Sequence, residues 1–423
     1  MKPFCYRGGV LHAENVDLRD IASEVGTPVY CYSTVGFEEQ YLAFSRLFAA
    51  VPSLVCYAMK ANSNQAVLAT LARLGAGMDV VSEGELRRAR TVGVPPEKIV
   101  FSGVGKTQDE LAYALDQDIL CFNVESEPEL EQISALASAG GRSARISIRV
   151  NPDIDANTHA KISTGTYANK FGIPLEEAPR VYEKAAKLPG LTVTGVDMHI
   201  GSQIPDLAPF DAAAKRLASL ACHLMKEGHR LEHLDLGGGL GVVYDPHGNL
   251  RPPEPTAYAE TILRHTRELG LKLVFEPGRL IAAGAGVLLT RVIHVKQGAG
   301  KTFVIVDAAM NDLIRPTLYE AHHEIVNVRE VPSDAARETV DVVGPVCESG
   351  DYLAQKREMT LPRPGDLLAV MSAGAYGAVQ ASTYNSRLLV PEVLVKGSKY
   401  AVVRPRLSYD DLIGLDRLPG WLL

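Results

Sequence analysis

Apolar positions along this chain fall into two textures. Over its first two-thirds, short near-continuous apolar runs alternate with longer segments of helical character. The runs are 54–60 (LVCYAMK), 77–82 (GMDVVS), 99–103 (IVFSG), 120–126 (LCFNVES), 145–151 (RISIRVN), 193–201 (VTGVDMHIG), 233–239 (HLDLGGG) and 272–278 (KLVFEPG). Segments between them, such as 83–93 (EGELRRARTVG) and 126–141 (SEPELEQISALASAGG), carry acidic residues near the start and close on glycine, as helix ends prefer. Strands that lack polar alternation are buried on both faces, which predicts a parallel sheet. Eight strand–helix units match a closed (β/α)8 TIM barrel, an α/β fold, better than an open doubly wound sheet. The G-x-G-x-x-G fingerprint that the open sheet carries after its first strand is missing.

After about residue 284 the texture changes to Val-rich or alternating strands with turn residues between them, as in TRVIHVKQGAGKTFVIVDA, ETVDVVGPV and RLLVPEVLVKGSKYAVVR. This predicts an antiparallel β-domain. VYCYS at 29–33 precedes the barrel and is expected to join that domain. The expected division is a barrel over 36–284 and a discontinuous β-sandwich or barrel-like domain from 1–35 and 285–423.

Composition narrows the function classes. The chain has 423 residues, 46% hydrophobic and 22% charged, which is enough apolar surface to exclude disorder as its main state. A net charge of −7 argues against a nucleic-acid or membrane-surface partner. The longest apolar stretch, near 280–290 and closed by Arg279 and Arg291, falls short of the ~20 residues of a membrane span. MKPFCYRGGV at the N-terminus has no apolar signal core. The 6 cysteines form no C-x-x-C pair and no H-E-x-x-H is present, so a reducing cytoplasm and no bound metal are expected.

In such a barrel, chemistry sits at the C-terminal ends of the strands, and the unusual residues cluster there. Lys60 ends the first run; either it is buried there, with a lowered pKa and able to form a Schiff base, or it is a lysine snorkelling to solvent at a strand end. The triple glycine 237–239 is either a phosphate cradle or an ordinary turn, with Gly278 and Ser202 as further donors. His199 is either a ring-stacking group or a structural histidine. Glu276 is either a partner for a ring N–H⁺ or a partner for Arg279. Amine, cradle, stacker and carboxylate together are what pyridoxal phosphate needs.

The ordered strings CYAMKAN, GMDVVSEGEL, THAKISTG with NKFG, MHIGSQ, LDLGGGLG, EPGR, MNDLIRPTLY, GPVCESGD and GAYG resemble the alanine-racemase-fold pyridoxal-phosphate decarboxylases, most closely the branch acting on diaminopimelate. The resemblance spans nearly the whole chain. It implies that Lys60 holds the cofactor, that His199 stacks on its ring and that Glu276 pairs with the ring nitrogen. Ser202, Gly238, Gly239, Gly278, Arg279 and Tyr376 would surround the phosphate. It further implies Cys347 as proton donor, and Arg279, Arg315, Tyr319, Glu348 and Tyr376 as substrate contacts. The active site would be shared across a homodimer. Arginine grips a carboxylate with two parallel bonds, and the LIRPTLY string argues against the amine-forming ornithine-type branch. Leu280 departs from the small polar residue frequent after EPGR. Asp79, His159 and Lys161 lie in matched strings without an assigned role.

Overall fold

The computed structural model describes residues 2–156, 164–165, 169–332 and 334–422. His159 and Lys161 therefore lie outside the described residues. The chain divides into two compact units: Glu38–Val243 with Asn249–Ile281, and Met1–Phe37 with Tyr244–Gly248 and Ala282–Leu423.

The first unit is built on eight parallel strands: β1 (Ser53–Ala58), β2 (Gly77–Val80), β3 (Ile99–Phe101), β4 (Cys121–Val124), β5 (Ala144–Asn151), β6 (Leu191–Asp197), β7 (His233–Asp235) and β8 (Lys272–Phe275). Each pairs with its sequence neighbour. β8 pairs back onto β1 through Val274↔Leu54, so the sheet closes as the sequence predicts. The helices between the strands start where side chains can cap them. Ser82 accepts from the Glu85 amide ahead of Glu83–Thr91, and Ser126 does the same for Glu129 ahead of Glu127–Ala139. Each such cap contributes about 1 kcal/mol and fixes where a strand-to-helix loop ends.

Inside the barrel, apolar and polar side chains are sorted. Leu54, Cys56, Val100, Cys121 and Val274 form a buried apolar cluster. Asp79, Asn123, Ser147, Arg149, Asp197 and Asp235 are buried as well, all on strands. Outside, Phe44 and Phe48 pack against Phe275, the Phe48 and Phe275 rings lying 4.0 Å apart, and Tyr258 with Phe210 extends the cluster from Phe44. This packing anchors the end of β8, and the next residue is Glu276.

The second unit carries a sheet in the order Tyr352–Met359, Glu338–Val343, Lys301–Val306, Gly286–Gly298, Val29–Ser33, Glu392–Lys396, Lys399–Arg404. Most pairings are antiparallel, but Lys301–Val306 with Glu338–Val343 and Val29–Ser33 with Glu392–Lys396 run parallel. The domain is mostly antiparallel, as the sequence predicts, and these two pairings are the parallel exceptions. Those partners are distant in sequence, so no hairpin constrains their direction. The core gathers Val29, Cys31, Val287, Leu289, Ala369, Val393 and Val395. No helix among the described residues is long and apolar enough to cross a membrane.

Candidate active site

The barrel rim is shaped by backbone approaches that only glycine permits. A Cβ on Gly238 would sit 2.3 Å from the Glu276 carbonyl oxygen, and one on Gly239 (φ +108°) 2.6 Å from that of Gly201. Gly278 lies so close to the β1 turn that its Cβ would meet Ala61 Cβ at 3.0 Å. Backbone bonds follow the same contacts: Glu276 N–H donates to Gly237 O at 2.7 Å, and Ala58 N–H to Pro277 O at 3.3 Å. The loops after β6, β7, β8 and β1 thus form one bonded rim. Gly237 N–H donates to Asp235 Oδ1 (2.9 Å) and Gly238 N–H to His199 Nδ1 (3.1 Å). Both amides are committed within the rim, so what Gly237 and Gly238 add is space for close approach.

Lys60 lies just past β1, in the single turn Met59–Ala61. Its Nζ meets Asp79 Oδ2 at 3.3 Å, and its side chain is 38% exposed while Asp79 is fully buried. Of the two readings left open for Lys60, the structure supports a partly solvated amine whose charge a buried carboxylate from β2 compensates. The role that sequence reasoning left open for Asp79 is this ion pair.

His199, two residues past β6, accepts the Gly238 amide at Nδ1, so in the neutral ring the proton is on Nε2. Burial lowers its pKa well below the ordinary value, reinforced by the Lys60 and Arg149 charges. A neutral, flat ring results. Ser202 Oγ accepts from Arg279 Nη2 at 2.9 Å, tying the loops after β6 and β8 together.

Glu276 is 5% exposed. Its Oε1 accepts from Ser102 Oγ and Asn123 Nδ2, each at 3.2 Å. One carboxylate oxygen from each of Glu276, Asp197 and Asp235 lies within 4.8 Å of the other two. Sequence reasoning found no ligand set of this kind; the fold assembles one from β6, β7 and the residue just past β8. Burial raises the Glu276 pKa well above the carboxylate range, with Asp235, Asp79 and Asp197 adding to it and the Lys60 charge opposing. Burial likewise raises Asp235 to about 7 and Asp197 well above its ordinary value. Asp79 Oδ1, Asp197 Oδ1 and Asp235 Oδ2 are buried without a hydrogen-bond partner. A crowd of buried acids that must share protons is a receptor for a positive charge. A cationic ring nitrogen, arriving with its own N–H⁺, fits that chemistry.

Ser102, Asn123, Asp197 and Asp235 were missed from sequence. Their signal was present: polar side chains inside otherwise apolar runs, IVFSG, LCFNVES, GVDMHIG and HLDLGGG.

The remaining expected residues lie in the second unit. Arg315 opens the helix Arg315–Tyr319 and is 5% exposed. Tyr319 Oη lies 3.4 Å from Gln380 Nε2. Tyr376 is half-buried with φ +55°. Cys347 is exposed, and its amide donates to Asn385 Oδ1 at 2.8 Å. Asp351 anchors the same loop, accepting from Met310 N–H (2.7 Å) and Val346 N–H (2.6 Å). Exposed Glu348 bonds Tyr384, raising the phenol pKa. All six cysteines are unpaired.

Residues 35–283 match the family model described as "Pyridoxal-dependent decarboxylase, pyridoxal binding domain". The chain is 49% identical to a diaminopimelate decarboxylase of Zymomonas mobilis, with 100% of both chains covered. It is 52% identical to one of Pseudomonas aeruginosa, over 97% of this chain and 98% of that one. A crystal structure of diaminopimelate decarboxylase from Helicobacter pylori complexed with L-lysine superposes with a TM-score of 0.90 at 42% identity, covering 94% of this chain and 99% of that one.

Proposed function

This chain belongs to the pyridoxal-dependent decarboxylases, and from that premise we propose that it converts meso-2,6-diaminopimelate to L-lysine and carbon dioxide, the last step of lysine biosynthesis. Pyridoxal phosphate, when bound, supplies the electron sink that takes the pair left by the departing carboxylate. Lys60 would hold the cofactor through its Nζ. His199 packs its neutral ring against the cofactor ring. Ser202, Gly238, Gly239, Gly278, Arg279 and Tyr376 surround the phosphate. Glu276 keeps a proton on the ring nitrogen, because the acids behind it favour any arrangement that adds positive charge there.

Arg315 and Tyr319, with Arg279, grip the carboxylate of the substrate end that does not react. Glu348 takes that end's ammonium. Cys347 Sγ delivers a proton to the carbon that lost its carboxylate; its thiol is exposed, and its loop is held by Asn385 and Asp351. In this reading the protein is a homodimer, and Cys347 and Glu348 serve the partner subunit's barrel. The six unpaired thiols support a cytoplasmic location.

The observation that carries the chemistry is the meeting, on one barrel rim, of an amine paired to buried Asp79 and a buried carboxylate held by Ser102 and Asn123. The test is incubation of the purified protein with pyridoxal phosphate and meso-diaminopimelate, with ornithine and arginine in parallel and chiral analysis of the products. L-lysine from diaminopimelate alone is expected. Faster turnover of ornithine or arginine would refute the substrate assignment, and a protein that never takes up the cofactor would refute the chemistry.

A further inference from the structure

Two adjacent histidines, His322 and His323, have different surroundings. His322 is half-buried in an ion network, with Glu324 Oε2 3.3 Å from its Nε2 and Arg357 Nη2 3.3 Å from its Nδ1. His323 is fully buried. Its Nδ1 lies 2.8 Å from the Met371 carbonyl oxygen, and its Nε2 lies 2.9 Å from Arg315 Nη1. A carbonyl oxygen only accepts, so Nδ1 carries the ring proton. A guanidinium only donates, so Nε2 presents its lone pair. The two contacts fix one neutral tautomer, because a proton on Nε2 would face a guanidinium that is always charged.

Tyr244 completes the arrangement. The Arg315 guanidinium carbon lies 4.6 Å from the centroid of the Tyr244 ring, and that ring meets the His323 ring at 5.2 Å and 72°. Arg315 is thus held by an aromatic face and by a directional acceptor. A face restrains the plane of a guanidinium but leaves rotation within the plane soft. A lone pair aimed at Nη1 removes that rotation.

We infer that His323 is a positioning residue for substrate selection: its Nε2 lone pair sets the in-plane orientation of the Arg315 guanidinium and so the direction in which its paired N–H groups meet a carboxylate. This rests on the reading of Arg315 as the grip on the non-reacting carboxylate. Pre-orienting a long side chain lowers the ordering cost of binding. The effect falls on affinity for the carboxylate-bearing end, away from the bond that breaks, so it belongs in KM rather than kcat.

The experiment is steady-state kinetics of the cofactor-loaded enzyme with meso-diaminopimelate for wild type, His323→Leu, His323→Gln and Arg315→Ala, with circular dichroism as the check on folding. His323→Leu, which lacks an acceptor, is expected to raise KM about tenfold or more while kcat falls less than about threefold. His323→Gln, whose Oε1 can accept at the same place, is expected to keep KM within about threefold of wild type. Equal KM for the Leu and Gln variants, or a loss confined to kcat, overturns the inference. Should the Leu variant fail to fold, His323→Phe replaces it against Gln with the same criteria. If Arg315→Ala raises KM and the acceptor-free variants do not, the inference alone falls; if Arg315→Ala leaves KM unchanged, the reading of Arg315 falls and takes the inference with it.

Discussion

Replacing Asp235 by Asn tests the electrostatics of the barrel mouth directly. The substitution is nearly isosteric. It keeps an Oδ1 acceptor for the Gly237 amide, and it turns Oδ2, buried without a partner, into an amide donor. In the folded protein, burial and the Asp79 charge raise the Asp235 pKa from its ordinary 3.8 to about 7. A carboxyl with a raised folded pKa holds its proton more tightly folded than unfolded, so it weakens the fold as pH rises. The penalty is absent below about pH 4, grows between about pH 4 and 7, and is fully present above. The gap, at about 1.4 kcal/mol per pH unit, amounts to about 4 kcal/mol at pH 8 and about 2 kcal/mol at pH 5.

Asp235→Asn should therefore stabilise the cofactor-free protein, and more so at pH 8. For a unit of this size, about 2–4 °C per kcal/mol applies, so thermal unfolding should shift upward by about 10 °C at pH 8 and by roughly half that at pH 5. Calorimetry of the two proteins at both pH values provides the measurement. A loss of stability at pH 8, or an equal gain at pH 5 and 8, would mean that Asp235 is not held among mutually repelling acids.

Gly238→Ala places a methyl group 2.3 Å from a backbone carbonyl oxygen; the loops after β7 and β8 must separate, at a cost of about 1–3 kcal/mol, and equilibrium dialysis should show at least tenfold weaker cofactor retention, whereas wild-type retention would show slack in the rim. Lys106→Met strands Glu129, whose partner Lys106 Nζ lies at 2.6 Å with a side chain only 1% exposed; breaking such a buried pair costs about 3–5 kcal/mol, and a loss under about 1 kcal/mol in urea titration would contradict the burial. Cys347, the exposed thiol of the six, should be the first modified by a chromogenic disulfide, and Cys347→Ala should keep the bound-cofactor chromophore while turnover falls at least tenfold; full turnover would move the proton-donor role elsewhere.

The barrel was legible because its strands are apolar on both faces, and only a closed or doubly covered parallel sheet buries such strands. The site residues were legible as polar exceptions at the ends of those strands: Lys60, His199 and Glu276 break runs that are otherwise apolar. Three features were not legible, for physical reasons. Whether Lys60 is buried depends on a single turn of backbone past β1, and strand periodicity does not encode that turn. The meeting of Asp197, Asp235 and Glu276 depends on barrel closure, which brings carboxylate oxygens of residues up to 79 positions apart within 4.8 Å. The two parallel pairings of the second unit were hidden likewise, because a strand's sequence records its burial but not its partner's direction.

Those acids also explain why a site can be found by looking for poor folding choices. A barrel selected for stability alone would fill its mouth with branched apolar side chains. This one buries Asp79, Asp197, Asp235 and Glu276 there, and three of their oxygens lack a partner. Arg149 offers limited relief, since its own Nη1 is committed to Glu125 at 2.7 Å. The resulting strain is released by whatever brings positive charge to the mouth, and a group that binds only the folded state stabilises it by mass action. Cofactor binding and stability are therefore coupled through the same carboxylates. The stabilisation conferred by pyridoxal phosphate should be smaller in Asp235→Asn than in wild type, because less repulsion remains to be relieved.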